Sequence, residues 1–128
     1  MSFRTSNPAT SNGWVIARTL LTRHAMIEKA LVIRIEAKLD KVEEVRQFLL
    51  QGLPIIEGEP ETPVWFPLHF GGSSFGIFDA FKSVGDRERH LAGKLAALLM
   101  AKTPELFTAP PVMDHADVLA QKIAALHV

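Results

Sequence analysis

Leu31-Val32-Ile33-Arg34-Ile35-Glu36-Ala37-Lys38-Leu39 alternates residue by residue. In an extended chain successive side chains point to opposite faces. Leu31, Ile33, Ile35, Ala37 and Leu39 therefore share one face, and Val32, Arg34, Glu36 and Lys38 share the other. The stretch predicts a strand with one strongly apolar side. Directly after it the period lengthens. Asp40 is placed to N-cap a helix by accepting from free backbone N–H groups, and Glu43, three positions on, completes a capping-box pattern. Val42, Val45, Phe48 or Leu49, Leu53 and Ile56 then follow at helical spacing. Gly52 and Pro54 predict a stop or kink near position 52.

Outward from this strand and helix, Glu57–Pro63 reads as a loop. Val64–Phe70 reads as a second strand, and Pro67 within it supplies no N–H to a ladder, so it is expected at an edge or bulge. Gly71-Gly72-Ser73-Ser74 is a hairpin turn, not a phosphate loop. Phe75–Phe81 is a third strand, with Phe75, Ile77, Asp79 and Phe81 on one face. Ser83–Asp86 offers helix caps, and a helix is expected from Arg87 to about Ala101, with Leu91, Leu95, Leu98 and Leu99 as its buried stripe. Pro104 to Pro111 reads as a loop, Val112–Leu119 as a fourth, weakly patterned strand, and 120–128 as a tail. The order β-α-β-β-α-β is the ferredoxin-like α+β arrangement, a four-stranded antiparallel sheet with both helices on one face. On the N-terminal side, 1–13 is loop-like, and Trp14 to Met26 spaces its apolar residues as a short helix. Residues 1–26 are expected to be an extension of a domain spanning 27–128, with Met26 as an alternative start.

A 128-residue chain with 48% hydrophobic residues builds one domain with a substantial core. It cannot cover both faces of an apolar sheet with two helices. The bare face predicts a homodimer, with two sheets meeting as a dimeric α/β barrel. Lys+Arg and Asp+Glu are both 14, so the chain lacks the basic footprint of nucleic-acid binding. The absence of cysteine removes disulfide and thiolate chemistry, and the apolar runs are too short to span a bilayer. With no secretory pattern at the start, a cytoplasmic location is expected.

From about Ala30 to Ile123 the chain resembles the antibiotic biosynthesis monooxygenase family. The likeness rests on the opening strand Val32–Lys38, the helix with Glu44, Phe48 and Leu49, the strand Phe75-Gly76-Ile77-Phe78-Asp79-Ala80-Phe81, the pair His90-Leu91, and the closing Ala116–Ile123. Glu57–Phe66, with Pro60 and Pro63, departs from the pattern. The resemblance implies a dimeric α/β barrel and, for an enzyme, a cofactorless monooxygenase acting on a small aromatic or quinol. The alternative is a non-catalytic small-ligand-binding or stress-response dimer of the same fold.

Such an enzyme needs a dry pocket, a group that orients an ionisable substrate, and a base. The candidate catalytic residues are His69, Asp79 and His90. Arg34, Glu36 and Trp65 are the candidate substrate-binding residues. Arg34 and Glu36 share a strand face and either line the barrel or form a plain ion pair. Trp65 lies four positions before His69 on the same face and is suited to stacking. Asp79 interrupts an apolar face, so it needs a partner, with Arg34 one option. His90 matches the recurrent histidine of the family. No cofactor is expected, and no histidines or carboxylates stand at metal-ligand spacing.

Overall fold

The computed structural model describes residues 26–124, and Ile27–Ala120 form one compact unit. The expected helix before Met26 and the end of the tail lie outside the described residues. In order the elements are β1 (Lys29–Glu36), a 3-10 turn (Leu39–Lys41), α1 (Val42–Gln51), α2 (Leu53–Glu57), β2 (Val64–Gly71), β3 (Ser74–Phe81), α3 (Val84–Leu91), α4 (Lys94–Leu106) and β4 (Val112–Asp117). The sheet order is β2-β3-β1-β4, with every neighbouring pair antiparallel. This is the ferredoxin-like fold that the element order predicts.

Several local readings change. β1 ends at Glu36; Ala37 makes a lone bridge to Phe107 as the chain turns away, and Leu39 is left 88% exposed instead of joining the apolar face. Asp40 falls inside the 3-10 turn and is not an N-cap. α1 starts without a side-chain cap, and Glu43 pairs with Arg46 and Gln47 along the helix. The helix breaks at Gly52, as expected, and resumes as α2 with Pro54 in its first turn, where a missing N–H costs nothing. Ser83 does cap α3, accepting from Asp86 N–H. The long helix expected from Arg87 is two helices with a break at Ala92-Gly93, so His90 sits at the end of α3 and not near a helix start. Pro104 lies within α4 and not in a loop; it is in the last turn, where it interrupts little of the ladder.

The helices pack on the face formed by Leu31, Ile33 and Ile35 of β1, Phe75, Ile77 and Phe81 of β3, and Trp65 of β2. Val45, Leu49, Ile56, Leu95, Leu99 and Leu106 complete this core. β2 is an edge strand, as Pro67 predicts; Pro67 pairs in register with Ile77, and the strand's bulge lies further on, between His69 and Gly71. Gly71 and Gly72 both adopt positive φ in the hairpin, a region side chains other than glycine rarely enter.

The other sheet face carries Val32 and Arg34, Phe66, Leu68 and Phe70, Phe78 and Val112. Phe66, Phe70 and Val112 are more than half exposed. Ile27, Ala30 and Ala80 are buried at one end of it, with Phe78 and Ala116 against them. Toward the other end the Phe70 ring crosses Gly76, and the Arg34 guanidinium lies 4.5 Å above that ring. A β-carbon on Gly76 would lie 2.8 Å from both the Ile33 carbonyl oxygen and the Phe70 ring. Backbone cannot yield as a flexible side chain can. Gly76→Ala should therefore lower stability by about 1–3 kcal/mol, the usual cost of overpacking, which urea denaturation will read. Equal midpoints for the two proteins would show that the strand absorbs the methyl group.

Candidate functional site

Asp79 is set in mid-β3 on the helix-facing side and is fully buried. The end of α3 brings His90 over it, with His90 Nε2 2.7 Å from Asp79 Oδ2. The approach is short but poorly aligned as a hydrogen bond, and neither Asp79 oxygen has an aligned donor, so the contact is chiefly ionic. On the other side of the ring, His90 Nδ1 lies 2.8 Å from Glu59 Oε1, in the loop after α2. Thr62 Oγ1 donates to the same oxygen at 2.9 Å and lies 3.3 Å from His90 Nδ1. Phe81 packs against the imidazole. One imidazole is thus held between two carboxylates in a nearly dry site. Burial pushes the Asp79 carboxyl up, and its contact with His90 offsets only part of that rise. Burial pulls His90 down, but its contacts with Asp79 and Glu59 outweigh it and leave the imidazole above its ordinary value.

A second arrangement lies between α1 and the edge strand β2. The His69 ring stacks on Phe75 at 4.4 Å. Its Nε2 is 2.9 Å from the Gly72 carbonyl, which can only accept, and its Nδ1 is 3.3 Å from Arg46 Nη2, which can only donate. The network therefore assigns the proton to Nε2. Around this ring Arg46, Leu49, Leu50, Pro67, Leu68 and Phe75 form a groove that is open to solvent, about 320 Å3 when the open space at its mouth is counted.

The third arrangement is on the open face. Glu36 accepts from the hydroxyls of Ser73 and Ser74, which hold its carboxyl below the ordinary range. Arg34 is engaged with Phe70, so Arg34 and Glu36 do not form the expected ion pair among the described contacts. Both line a shallow groove of about 460 Å3 with Ala109, Pro110 and Val112.

The fold therefore splits the sequence-derived candidates. Asp79 and His90 come together, with Glu59 rather than Arg34 as the further partner; Arg34 is on the opposite side of the sheet from Asp79. His69 is on the helix side but pairs in register with Phe75, four residues along β3 from Asp79. Trp65 is a core residue whose ring reaches the space beside Gly52 and Leu95, so it does not line an open pocket beside His69. Glu59, Thr62 and Arg46 were not legible as site residues: each is drawn in by tertiary contacts across 31, 28 and 23 positions. Among the described residues no group of three His, Cys, Asp or Glu is arranged to hold a metal.

No protein-family model matches the chain, and no curated protein does. Among solved structures, the NE2512 protein of unknown function from Nitrosomonas europaea is 41% identical, with a TM-score of 0.75, over 78% of this chain and 97% of that one. The chain belongs to the NE2512 family. It also superposes on a candidate antibiotic biosynthesis monooxygenase from Nitrosomonas europaea, at 15% identity and a TM-score of 0.65, over 72% of this chain and 90% of that one. A second such candidate, from Caulobacter crescentus, gives 13% identity and a TM-score of 0.64 over 74% and 92% of the two chains. The NE2512 family therefore has the fold of antibiotic biosynthesis monooxygenase-like proteins, as the likeness of β1, β3 and the His90-Leu91 pair implies. At these identities the likeness concerns the fold alone. Among the described residues, no helix is long and apolar enough to cross a membrane.

Proposed function

We propose that the chain forms a homodimer that binds a small ionisable aromatic molecule in the Arg46–His69 groove and oxidises it with molecular oxygen, using no bound cofactor. One observation carries this reading. An imidazole with its Nε2 proton fixed by Gly72 presents Nδ1 beside a guanidinium, inside apolar walls. A phenol entering the groove would stack its ring among Leu49, Pro67 and Phe75. Its hydroxyl would replace the long Arg46 contact at Nδ1, give its proton to that nitrogen, and leave an anion that Arg46 holds. The electron-rich anion passes an electron to O2. The resulting radical pair couples at a ring carbon bearing hydrogen, and loss of water from the peroxide leaves a carbonyl there. One oxygen atom enters the product and the other leaves as water.

In this reading Arg46 takes the orienting role that the sequence suggested for Arg34. The exposed Phe66, Phe70 and Val112 support the homodimer, because an apolar face of this kind is ordinarily covered. The test is oxygen uptake by the purified protein with a panel of phenols and quinols, using isotopic oxygen to label the product. His69→Ala should slow uptake by about 100-fold or more, the usual scale for loss of a general base. Uptake unchanged in the variant would remove His69 from the chemistry. The second reading, a non-catalytic ligand-binding dimer, is favoured by one fact: both nitrogens of His69 already have partners. Saturable binding of the same phenols with no oxygen uptake would establish it.

A further inference from the structure

The cluster at His90 holds more acceptors than protons. Three atoms, Thr62 Oγ1, Glu59 Oε1 and His90 Nδ1, lie within 2.8–3.3 Å of one another. When the imidazole is protonated, Nδ1–H and the Thr62 hydroxyl both donate to Glu59. When it is neutral, the remaining ring proton stays on Nε2, 2.7 Å from Asp79, because Asp79 is sealed in the sheet and cannot reach water. Nδ1 then turns a lone pair toward Glu59. The Thr62 hydroxyl can re-aim at Nδ1 across the existing 3.3 Å contact, which leaves the Glu59 carboxylate facing a lone pair with no donor. Glu59 differs from Asp79 in having an exit: its side chain is 12% exposed and stands on a loop. Against Gly93 it is also closely packed, since a β-carbon there would lie 3.2 Å from Glu59 Oε2.

We propose that Glu59 is a proton-controlled latch: it holds the 58–63 loop against the end of α3 while His90 is protonated, and swings to solvent when His90 is neutral, uncovering Nδ1. The titratable groups facing the imidazole are Asp79 from β3 and Glu59 from the loop, and both favour its protonated form. The latch rests on the Glu59–His90–Asp79 geometry and is independent of the oxidation proposed at His69. Loop residues that report it are tied to the closed state: Thr62 N–H donates to the Glu59 carbonyl, and Glu59 N–H to the Ile56 carbonyl.

The experiment follows the His90 ring by NMR across pH while amide hydrogen exchange is measured at Glu59 and Thr62, corrected for intrinsic rates. In the unaltered protein, protection of these amides should fall about tenfold or more as His90 loses its proton, with the same midpoint. In Glu59→Gln, whose amide cannot provide the charge, the His90 midpoint should move down and the loop protection should become flat across the range. Loop protection that stays constant through the His90 transition would overturn the latch. So would an unchanged midpoint in Glu59→Gln, as a second and separate failure.

Discussion

His90→Leu should destabilise the protein by about 3–5 kcal/mol near neutral pH, the cost of leaving a buried charge without its partner. Asp79 is fully buried, and no aligned donor would replace the lost imidazole. The pH dependence separates this cause from simple loss of packing. In the native protein both Asp79 and His90 titrate above their ordinary values. The folded state thus holds these protons more tightly than the unfolded chain. Their contribution is complete below the ordinary values, about 3.9 for Asp and about 6.5 for His. It is lost as pH rises through each raised folded value. In the variant the His90 part disappears and Asp79, with no cation beside it, moves further up. The deficit should therefore be large near neutral pH and shrink on the acid side, where Asp79 is protonated. Replacing both residues, Asp79→Leu with His90→Leu, should recover most of the loss, since an apolar pair leaves no buried charge. Urea unfolding at several pH values measures all three proteins. A deficit that is the same at every pH, or a double variant as weak as the single one, would show that the ion pair is not the cause.

Phe66→Glu should convert the proposed dimer to a monomer. Phe66 is 56% exposed in the single chain and stacks beside Phe78 at 6.2 Å. A glutamate there stays solvated in an isolated subunit, so folding should be nearly unaffected. Between two sheets it would be a desolvated charge among aromatic rings. Aromatic anchors at interface centres are typically worth about 2–4 kcal/mol, so the dissociation constant should rise by about 100-fold. Met100→Glu, at a half-exposed position on α4, is the control expected to leave the mass unchanged. Sedimentation over a concentration series reads both. If the unaltered protein sediments as a monomer, or the Phe66→Glu protein remains dimeric, the open face is not the contact.

Much of the fold was legible because local pattern and tertiary role agree. The alternation of Leu31, Ile33 and Ile35 specifies one face of a strand, and that face is the one the helices cover. Pro67 announced an edge, and Gly52 with Pro54 announced the helix break. Helix ends were less legible, because Ser83 caps α3 by a local hydrogen bond whereas α1 starts without one. The break at Ala92-Gly93 falls inside a continuous helical spacing of leucines and has no proline to announce it, and Glu59 packs against Gly93 from elsewhere in the chain. The site shows the same division. Asp79 stood out as a carboxylate on an apolar face, and burial of that kind demands a partner. Which partner was not legible. Periodicity could not assign the faces to layers, so Arg34 was an eligible partner and His90 was not singled out. Glu59 sat unremarked in an acidic loop.

The strand order has a consequence for how the molecule is made. β1 is the first of the four described strands to be synthesised and ends up in the middle of the sheet. One neighbour begins 38 residues after Glu36, and the other ends 88 residues after Lys29. At about 5–20 residues per second on the ribosome, the Leu31–Ile35 segment must wait several seconds before both its edges can be occupied. Folding should thus be dominated by distant contacts and completed only once β4 has emerged. Nascent chains stalled before Val112 should be far more prone to aggregate than those released after Asp117.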